Sequence, residues 1–122
     1  MDELMEPAGK DIRAKALCNA SLGELPGNIA VPAYDRGAIT PGIVHIGVGN
    51  FHRAHLAWYV HRLMQQGGAS DWGIIGAGVM ENDRAMRQKL LSQDCLTTLI
   101  ELAPSGKSVE VVGSMIDYIP VL

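Results

Sequence analysis

Residues 41–60 hold the side chains whose types and spacing suggest a binding chemistry. Gly47 and Gly49 follow a short apolar run and precede a helical pattern. In a dinucleotide-binding βαβ unit, the first glycine allows a tight turn out of the strand, and the second lets the backbone approach a pyrophosphate. His52 stands where that motif has its third glycine. The alternative interpretation is an ordinary strand-to-helix turn that uses glycine.

Charged groups beside this turn extend the hypothesis. The amides of residues 50–52 open a helix, whose N-terminus favours anions, and Arg53 could add a contact to phosphate. Glu81 and Asp83 are candidates for the acid that hydrogen-bonds a ribose hydroxyl. Asp83 could equally cap the helix that begins there. Arg84 could meet a 2′-phosphate instead, so the pattern only leans towards NAD.

Four histidines, His45, His52, His55 and His61, lie close together in the sequence. Zinc needs three or four ligands that converge on one point, usually with recognisable spacing. No cysteine accompanies these histidines, and no H-E-x-x-H motif is present. We therefore expect no metal site, and histidines that pack or hydrogen-bond around the turn rather than act in catalysis.

The elements that must position these residues alternate between strand and helix. Apolar periodicity predicts strands over 43–46 and 72–76, helices over 51–66 and 83–92, and a hairpin of two strands over 96–102 and 108–116. A further short helix is predicted over 10–17. The strand over 43–46 is apolar enough to be buried on both faces. A second G-x-G, at 76–78, is interpreted as turn glycines with close backbone approach.

This order, β-α-β-α followed by an antiparallel hairpin, predicts an α/β fold: a partial Rossmann-type dinucleotide-binding domain. We expect residues 1–40 to form a loop-rich leader and residues 41–122 the first part of the NAD-binding domain. Nothing after the hairpin supplies a third crossover helix, so the chain is expected to be an N-terminal fragment of a larger protein.

Composition excludes several classes of function. The chain has 122 residues and a net charge of −3, with 48% apolar residues. A nucleic-acid-binding surface needs a basic surplus, so nucleic acid is not an expected partner. No run reaches the roughly 18 apolar residues of a membrane span, and we see no signal peptide. The two cysteines lie far apart, which favours a reducing, cytoplasmic location.

The run IVHIGVGNFHRAH, residues 43–55, resembles the long-chain mannitol dehydrogenase family of polyol and hexuronate oxidoreductases. The segments PAYDR, DWGIIGAGV, LSQDCLTTL and VVGSMIDY are also similar to that family. The family carries this histidine in place of the third glycine. The resemblance implies that Gly47, Gly49, Asn50, Phe51, His52 and Arg53 belong to the cofactor-binding stretch and that Asp83 is the ribose acid. Asn50 and Thr97 depart from the family pattern.

The resemblance also implies an activity: NAD-dependent interconversion of a polyol and a ketose, such as mannitol and fructose, without a metal. Within the family, a fructuronate or tagaturonate reductase or an arabinitol dehydrogenase would look similar here. The family's catalytic lysine lies in a C-terminal substrate domain, so we expect no catalytic residue in this chain. An alternative of another class is an inactive, truncated nucleotide-binding module.

Overall fold

The strands and helices of residues 16–121, the part of the chain that the computed structural model describes, follow the predicted alternation. In chain order they are β1 (Ile29–Ala30), β2 (Pro41–Ile46), α1 (Asn50–Ala54), α2 (Leu56–Gln65), β3 (Gly73–Gly78), α3 (Asp83–Ser92), β4 (Thr97–Ala103), β5 (Gly106–Val112) and β6 (Met115–Pro120). Short 3₁₀ helices span Asn19–Glu24 and Arg36–Ala38. The helix predicted over 10–17 lies, up to residue 15, outside the described residues.

The main sheet has the order β2–β3–β6, and its strands are parallel. The helices α2 and α3 pack on one face of it, where Ala57, Val60 and Leu90 join Ile74 and Tyr118 in one buried cluster. The α/β class is therefore confirmed. β2 and β3 end at the same edge of this sheet. The turn after β2, which contains Gly47 and Gly49, therefore lies near the start of α3.

The strand β2 differs from its prediction, because only one of its faces is covered. Val44 and Ile46 are 61% and 64% exposed, whereas Ile43 packs against the core. The cause is topological: within residues 16–121, β2 pairs with β3 alone, and both crossover helices lie on the opposite face. The expectation of a strand buried on both faces was wrong for these residues.

The predicted hairpin is confirmed for β4 and β5, which pair antiparallel from Thr97↔Val112 to Ala103↔Gly106. Its second strand was predicted to continue to residue 116, but the chain leaves that sheet at Gly113. A Cβ at Gly113 would lie 2.8 Å from Cγ of Pro32, so the leader segment crowds the junction. The following residues form β6, a third parallel strand beside β3.

Two further boundaries differ from the predictions. The helix expected over 51–66 is broken at His55, whose φ of −122° and ψ of −84° are not helical. The glycines at 76–78 do not turn the chain, since they lie inside β3. Their close approach is as predicted: a Cβ would lie 2.6 Å from Val48 at Gly76 and 2.7 Å from Asp83 at Gly78. The bounds of α3 agree with the prediction.

Part of the predicted leader packs against the sheets. β1 pairs parallel with β5, and Arg36 donates from Nε to the carbonyl oxygen of Gly113 at 2.9 Å. Asp35 begins the 3₁₀ helix by accepting from the N–H of Gly37 at 2.9 Å. Among residues 16–121, no helix is both long and apolar enough to cross a membrane.

Candidate functional site

The first glycine of the turn after β2 has a backbone conformation that requires glycine. Gly47 has a φ of +92°, in the left-handed region that other residues rarely adopt. Its N–H donates to the carbonyl oxygen of Ala77 in β3 at 2.9 Å. The chain therefore leaves β2 sharply at the carboxyl edge of the sheet. We call residues 47–49 the glycine turn.

The second glycine has no such requirement within the described residues. Gly49 has an ordinary φ of −99°, and a Cβ placed on it would meet no heavy atom within 4 Å. Neither its conformation nor its packing against residues 16–121 therefore calls for glycine. The space in front of this backbone is open, as a bound diphosphate would need it to be.

The helix α1 begins directly after the glycine turn, with Gly49 at its N-cap and no side chain capping it. The amides of residues 50–52 form its first turn and have no carbonyl partner in a preceding turn. Arg53 lies back along this turn: its Nε donates to the carbonyl oxygen of Gly49 at 3.3 Å, and its Nη2 to Oδ1 of Asn50 at 2.6 Å. The predicted residues 47, 49, 50 and 53 are thus brought together.

The side chain of His52 lies beneath the turn rather than in front of it. It is 4% exposed, and its ring stacks on that of His45 at 3.9 Å between centroids. Burial, followed by the nearby His45 and Arg53, lowers the pKa of His52 to about 4, so the ring is neutral near pH 7. Only the backbone N–H of His52 is therefore placed to meet a ligand at the turn.

Phe51 shows the opposite placement. Its ring is 76% exposed and stacks on the ring of His55 at 4.1 Å between centroids. Nδ1 of His55 lies 2.9 Å from the carbonyl oxygen of Phe51 and donates to it. This aromatic pair stands at the surface beside the glycine turn, and its rings are accessible there.

Asp83 lies at the other end of the same sheet edge, where β3 leads into α3. Its Oδ2 accepts from the N–H groups of Val79 at 3.0 Å and Met80 at 2.8 Å. The carboxylate therefore shapes the β3–α3 loop, close to the capping role considered from the sequence. Both bonds end on Oδ2, and within residues 16–121 no donor engages Oδ1.

A cleft of about 310 Å³ opens beside Asp83, between the ends of β3 and β6 and the first turns of α3. Tyr118 forms part of its wall and is 1% exposed, yet its hydroxyl has no hydrogen-bond partner among the described residues. Tyr118 could not be predicted from the sequence, because an aromatic residue in a β-rich run carries no signal of where its strand will pair. At the rim, Arg84 pairs with Glu81 at 3.3 Å, and both side chains are exposed.

The four histidines do not converge. His61 is fully buried in α2 and bonds through both ring nitrogens to Tyr34 and Glu110, well away from the stack of His45 and His52. Within residues 16–121, no three His, Cys, Asp or Glu side chains are grouped so as to hold a metal ion.

Comparisons with known proteins show what the chain is similar to. The family model described as the mannitol dehydrogenase Rossmann domain matches residues 41–119. A mannitol 2-dehydrogenase of Cereibacter sphaeroides is 53% identical over 94 residues, which are 77% of this chain and 20% of that protein. A polyol:NADP oxidoreductase of Gluconobacter oxydans is 48% identical over 102 residues, 81% of this chain and 21% of that protein.

A solved structure is similar as well. The Pseudomonas fluorescens mannitol 2-dehydrogenase, in a ternary complex with NAD and D-mannitol, has a TM-score of 0.83 and 42% identity. The match covers 85% of this chain and 21% of that one. The chain thus spans about a fifth of the length of the relatives that it matches.

Proposed function

The chain belongs to the mannitol dehydrogenase family, and from that premise we propose that it is the NAD-binding portion of a polyol dehydrogenase. Residues 41–122 form the first part of the cofactor domain, and residues 1–40 lead into it. We propose that the catalytic groups and the polyol site lie outside the fifth of the relatives' length that this chain matches. This chain alone then has no dehydrogenase activity.

The observation that carries the proposal is the open backbone at Gly49. Glycine occupies a position where an ordinary φ and empty space among residues 16–121 would accept other side chains. A ligand that must come within contact distance of the backbone explains this choice, and a diphosphate against the amides of residues 50–52 is such a ligand. Arg53, which already lies along the turn, adds positive charge there.

The residues at the far end of the sheet edge also fit a dinucleotide. Oδ1 of Asp83 has no donor among residues 16–121 and could accept from a ribose hydroxyl, while Oδ2 keeps the loop in shape. The hydroxyl of Tyr118, which has no hydrogen-bond partner in the described part of the chain, adds a polar group to the adjoining cleft. The glycine turn would hold the diphosphate, and Asp83 the adenosine ribose.

When bound, NAD supplies the two-electron acceptor for oxidation of a secondary alcohol. The residues of this chain bind and orient that cofactor, and the substrate comes from outside it. We propose mannitol and fructose as the substrate pair, with fructuronate, tagaturonate and arabinitol as the alternatives within the family. The free thiols of Cys18 and Cys95 suit a reducing cytoplasm, which we propose as the location.

NADP is a second candidate cofactor, since one relative is named a polyol:NADP oxidoreductase. A free Arg84 at the cleft rim would attract a 2′-phosphate, but Glu81 pairs with it at 3.3 Å and offsets its charge. Together with the carboxylate of Asp83, this arrangement favours the 2′-hydroxyl of NAD over the 2′-phosphate of NADP.

Calorimetric titration of the chain with NAD and NADP tests the proposal. Gly49→Val places a branched side chain in the open space and should weaken NAD binding at least about tenfold. Gly27→Val is the matched control, because a Cβ there also meets nothing within 4 Å, far from the turn. Equal NAD affinity in the two variants would overturn the diphosphate assignment. Mannitol-dependent NADH formation by the chain alone would contradict the absence of activity.

A further inference from the structure

A side chain of β2 holds the first peptide of the glycine turn. Nδ1 of His45 lies 2.9 Å from the carbonyl oxygen of Gly47, two residues further along the chain. A carbonyl oxygen only accepts, so Nδ1 carries the proton and donates. The N–H of Gly47 is fixed as well, by the carbonyl oxygen of Ala77. Both polar groups of this glycine are therefore held by strand residues.

The ring of His52 holds the ring of His45 in place. The two imidazoles are stacked, with centroids 3.9 Å apart and planes 27° apart. Neither ring nitrogen of His52 has a hydrogen-bond partner among the described residues, although the ring is almost fully buried. The third glycine of a dinucleotide motif lets helix and strand pack closely. Here two flat rings fill that space, so His52 contributes contact area rather than a hydrogen bond.

We propose that His45 is a positioning residue for the glycine turn and that His52 keeps its ring in the donating orientation. The inference rests on the proposed nucleotide-binding function. A trans peptide is planar, so the carbonyl of Gly47 and the N–H of Val48 point in opposite directions. Holding that carbonyl towards β2 turns the Val48 N–H away from His45 and fixes the path of the chain into Gly49. The diphosphate would then meet a backbone that is already in its bound conformation.

Replacement of His45 by phenylalanine tests the inference, because the ring and its stack remain while the donor is lost. His45→Phe should weaken NAD and ADP binding by about tenfold each, since both ligands carry a diphosphate, and leave adenosine binding unchanged. Tyr59→Phe, which removes the hydroxyl from an exposed ring in α2, is the matched control. A role in stability alone would lower affinity for all three ligands equally. That result, or no loss for NAD, would overturn the inference.

A second measurement needs no nucleotide and separates this inference from the proposed function. Imidazole ¹⁵N spectra of the ligand-free chain should show His45 protonated at Nδ1, with a coupling across the hydrogen bond to the Gly47 carbonyl. His52→Ala, which removes the stack, should weaken that coupling. A His45 protonated at Nε2 alone would overturn the positioning role whatever the chain binds. A chain with this spectrum and no NAD affinity would instead contradict the proposed function.

Discussion

Nε2 of His61 lies 3.0 Å from Oε2 of Glu110, although the two residues are 49 positions apart in the chain. The other oxygen of the same carboxylate accepts from the indole N–H of Trp58 at 2.9 Å, and Nδ1 of His61 accepts from the hydroxyl of Tyr34 at 2.6 Å. Burial lowers the pKa of His61, against the raising effect of Glu110. One carboxylate of β5 thus links α2 to the sheet formed by β1, β5 and β4.

Removal of that carboxylate should be costly. Glu110→Ala leaves the N–H groups of Trp58 and His61 without acceptors, and we expect a loss of about 2–3 kcal/mol in the free energy of unfolding. Glu110→Gln keeps one acceptor and should lose less. Urea denaturation measures both variants, with Glu101→Ala on the exposed end of β4 as control. A loss no larger than that of the control would contradict the role of the network.

The two glycines of the turn should respond in opposite ways to alanine. Gly47→Ala forces a Cβ into the left-handed region and should destabilise the fold by about 1–2 kcal/mol. Gly49→Ala has an ordinary φ and open space, so its stability should stay within about 0.5 kcal/mol of the wild type. Thermal unfolding compares the two. Equal losses would mean that the glycines serve the same structural purpose.

Asp83 is expected to combine a structural and a binding role. Asp83→Ala removes the acceptor of two backbone N–H groups and should destabilise the chain by about 1–2 kcal/mol. It should also weaken NAD binding more than NADP binding, since only NAD presents a 2′-hydroxyl there. Asp83→Asn keeps an acceptor for the loop and should recover most of the stability. Equal loss of NAD and NADP affinity would leave Asp83 as a loop-shaping residue only.

The buried ring of His52 should make stability depend on pH. Its folded-state pKa of about 4 lies below the ordinary value of 6.5, so between these values the unfolded chain binds a proton that the folded chain does not. This contribution is complete above pH 6.5 and is lost as the pH falls towards 4, by on the order of 3 kcal/mol. In His52→Phe, which keeps a flat ring, the loss of stability between pH 7 and 4.5 should be smaller. An unchanged slope would contradict a buried, neutral His52.

The sequence predicted those parts of the fold that depend on local pattern. The bounds of α3 and the hairpin follow from helical spacing and from a turn rich in proline and glycine. The start of β6 could not be predicted, because residues 108–116 are β-forming throughout and the break at Gly113 is imposed by Pro32 and Arg36, some 80 residues away.

In the candidate site, too, local pattern could be predicted from the sequence and long-range packing could not. Its motif residues were predicted because glycine spacing is local, and the structure groups them at one turn. The buried position of the His52 ring depends on β2 packing under α1. The sequence could therefore assign His52 to the motif, but it could not predict that the backbone amide rather than the ring would face a ligand. The placement of the Tyr118 hydroxyl beside the cleft likewise depends on which strand β6 joins.

The uncovered face of the main sheet should make the chain associate. Val44 and Ile46 of β2 and Ile119 of β6 lie on that face and are exposed, with Ala77 of β3 between Ile46 and Ile119. Contiguous apolar surface of this kind favours self-association. The double variant Val44→Thr, Ile46→Thr keeps β-forming residues and should lower the sedimentation coefficient of the chain at micromolar concentration. A wild-type chain that sediments as a monomer would contradict this prediction.

The free edge of β2 also has a consequence for handedness. Crossovers between parallel strands are almost always right-handed, and the chain runs from β2 to β3 to β6 in one direction, with its helices on one face. A parallel strand added beyond β2 would reverse that direction, so its crossover would have to pass over the other face, where Val44 and Ile46 lie. The crossover from β2 to β3 and the crossover to the added strand would then lie on opposite faces of the sheet, on either side of Gly47. A right-handed crossover to such a strand would therefore cover the exposed face of the sheet. It would also leave a crevice at the glycine turn, where the strand order reverses.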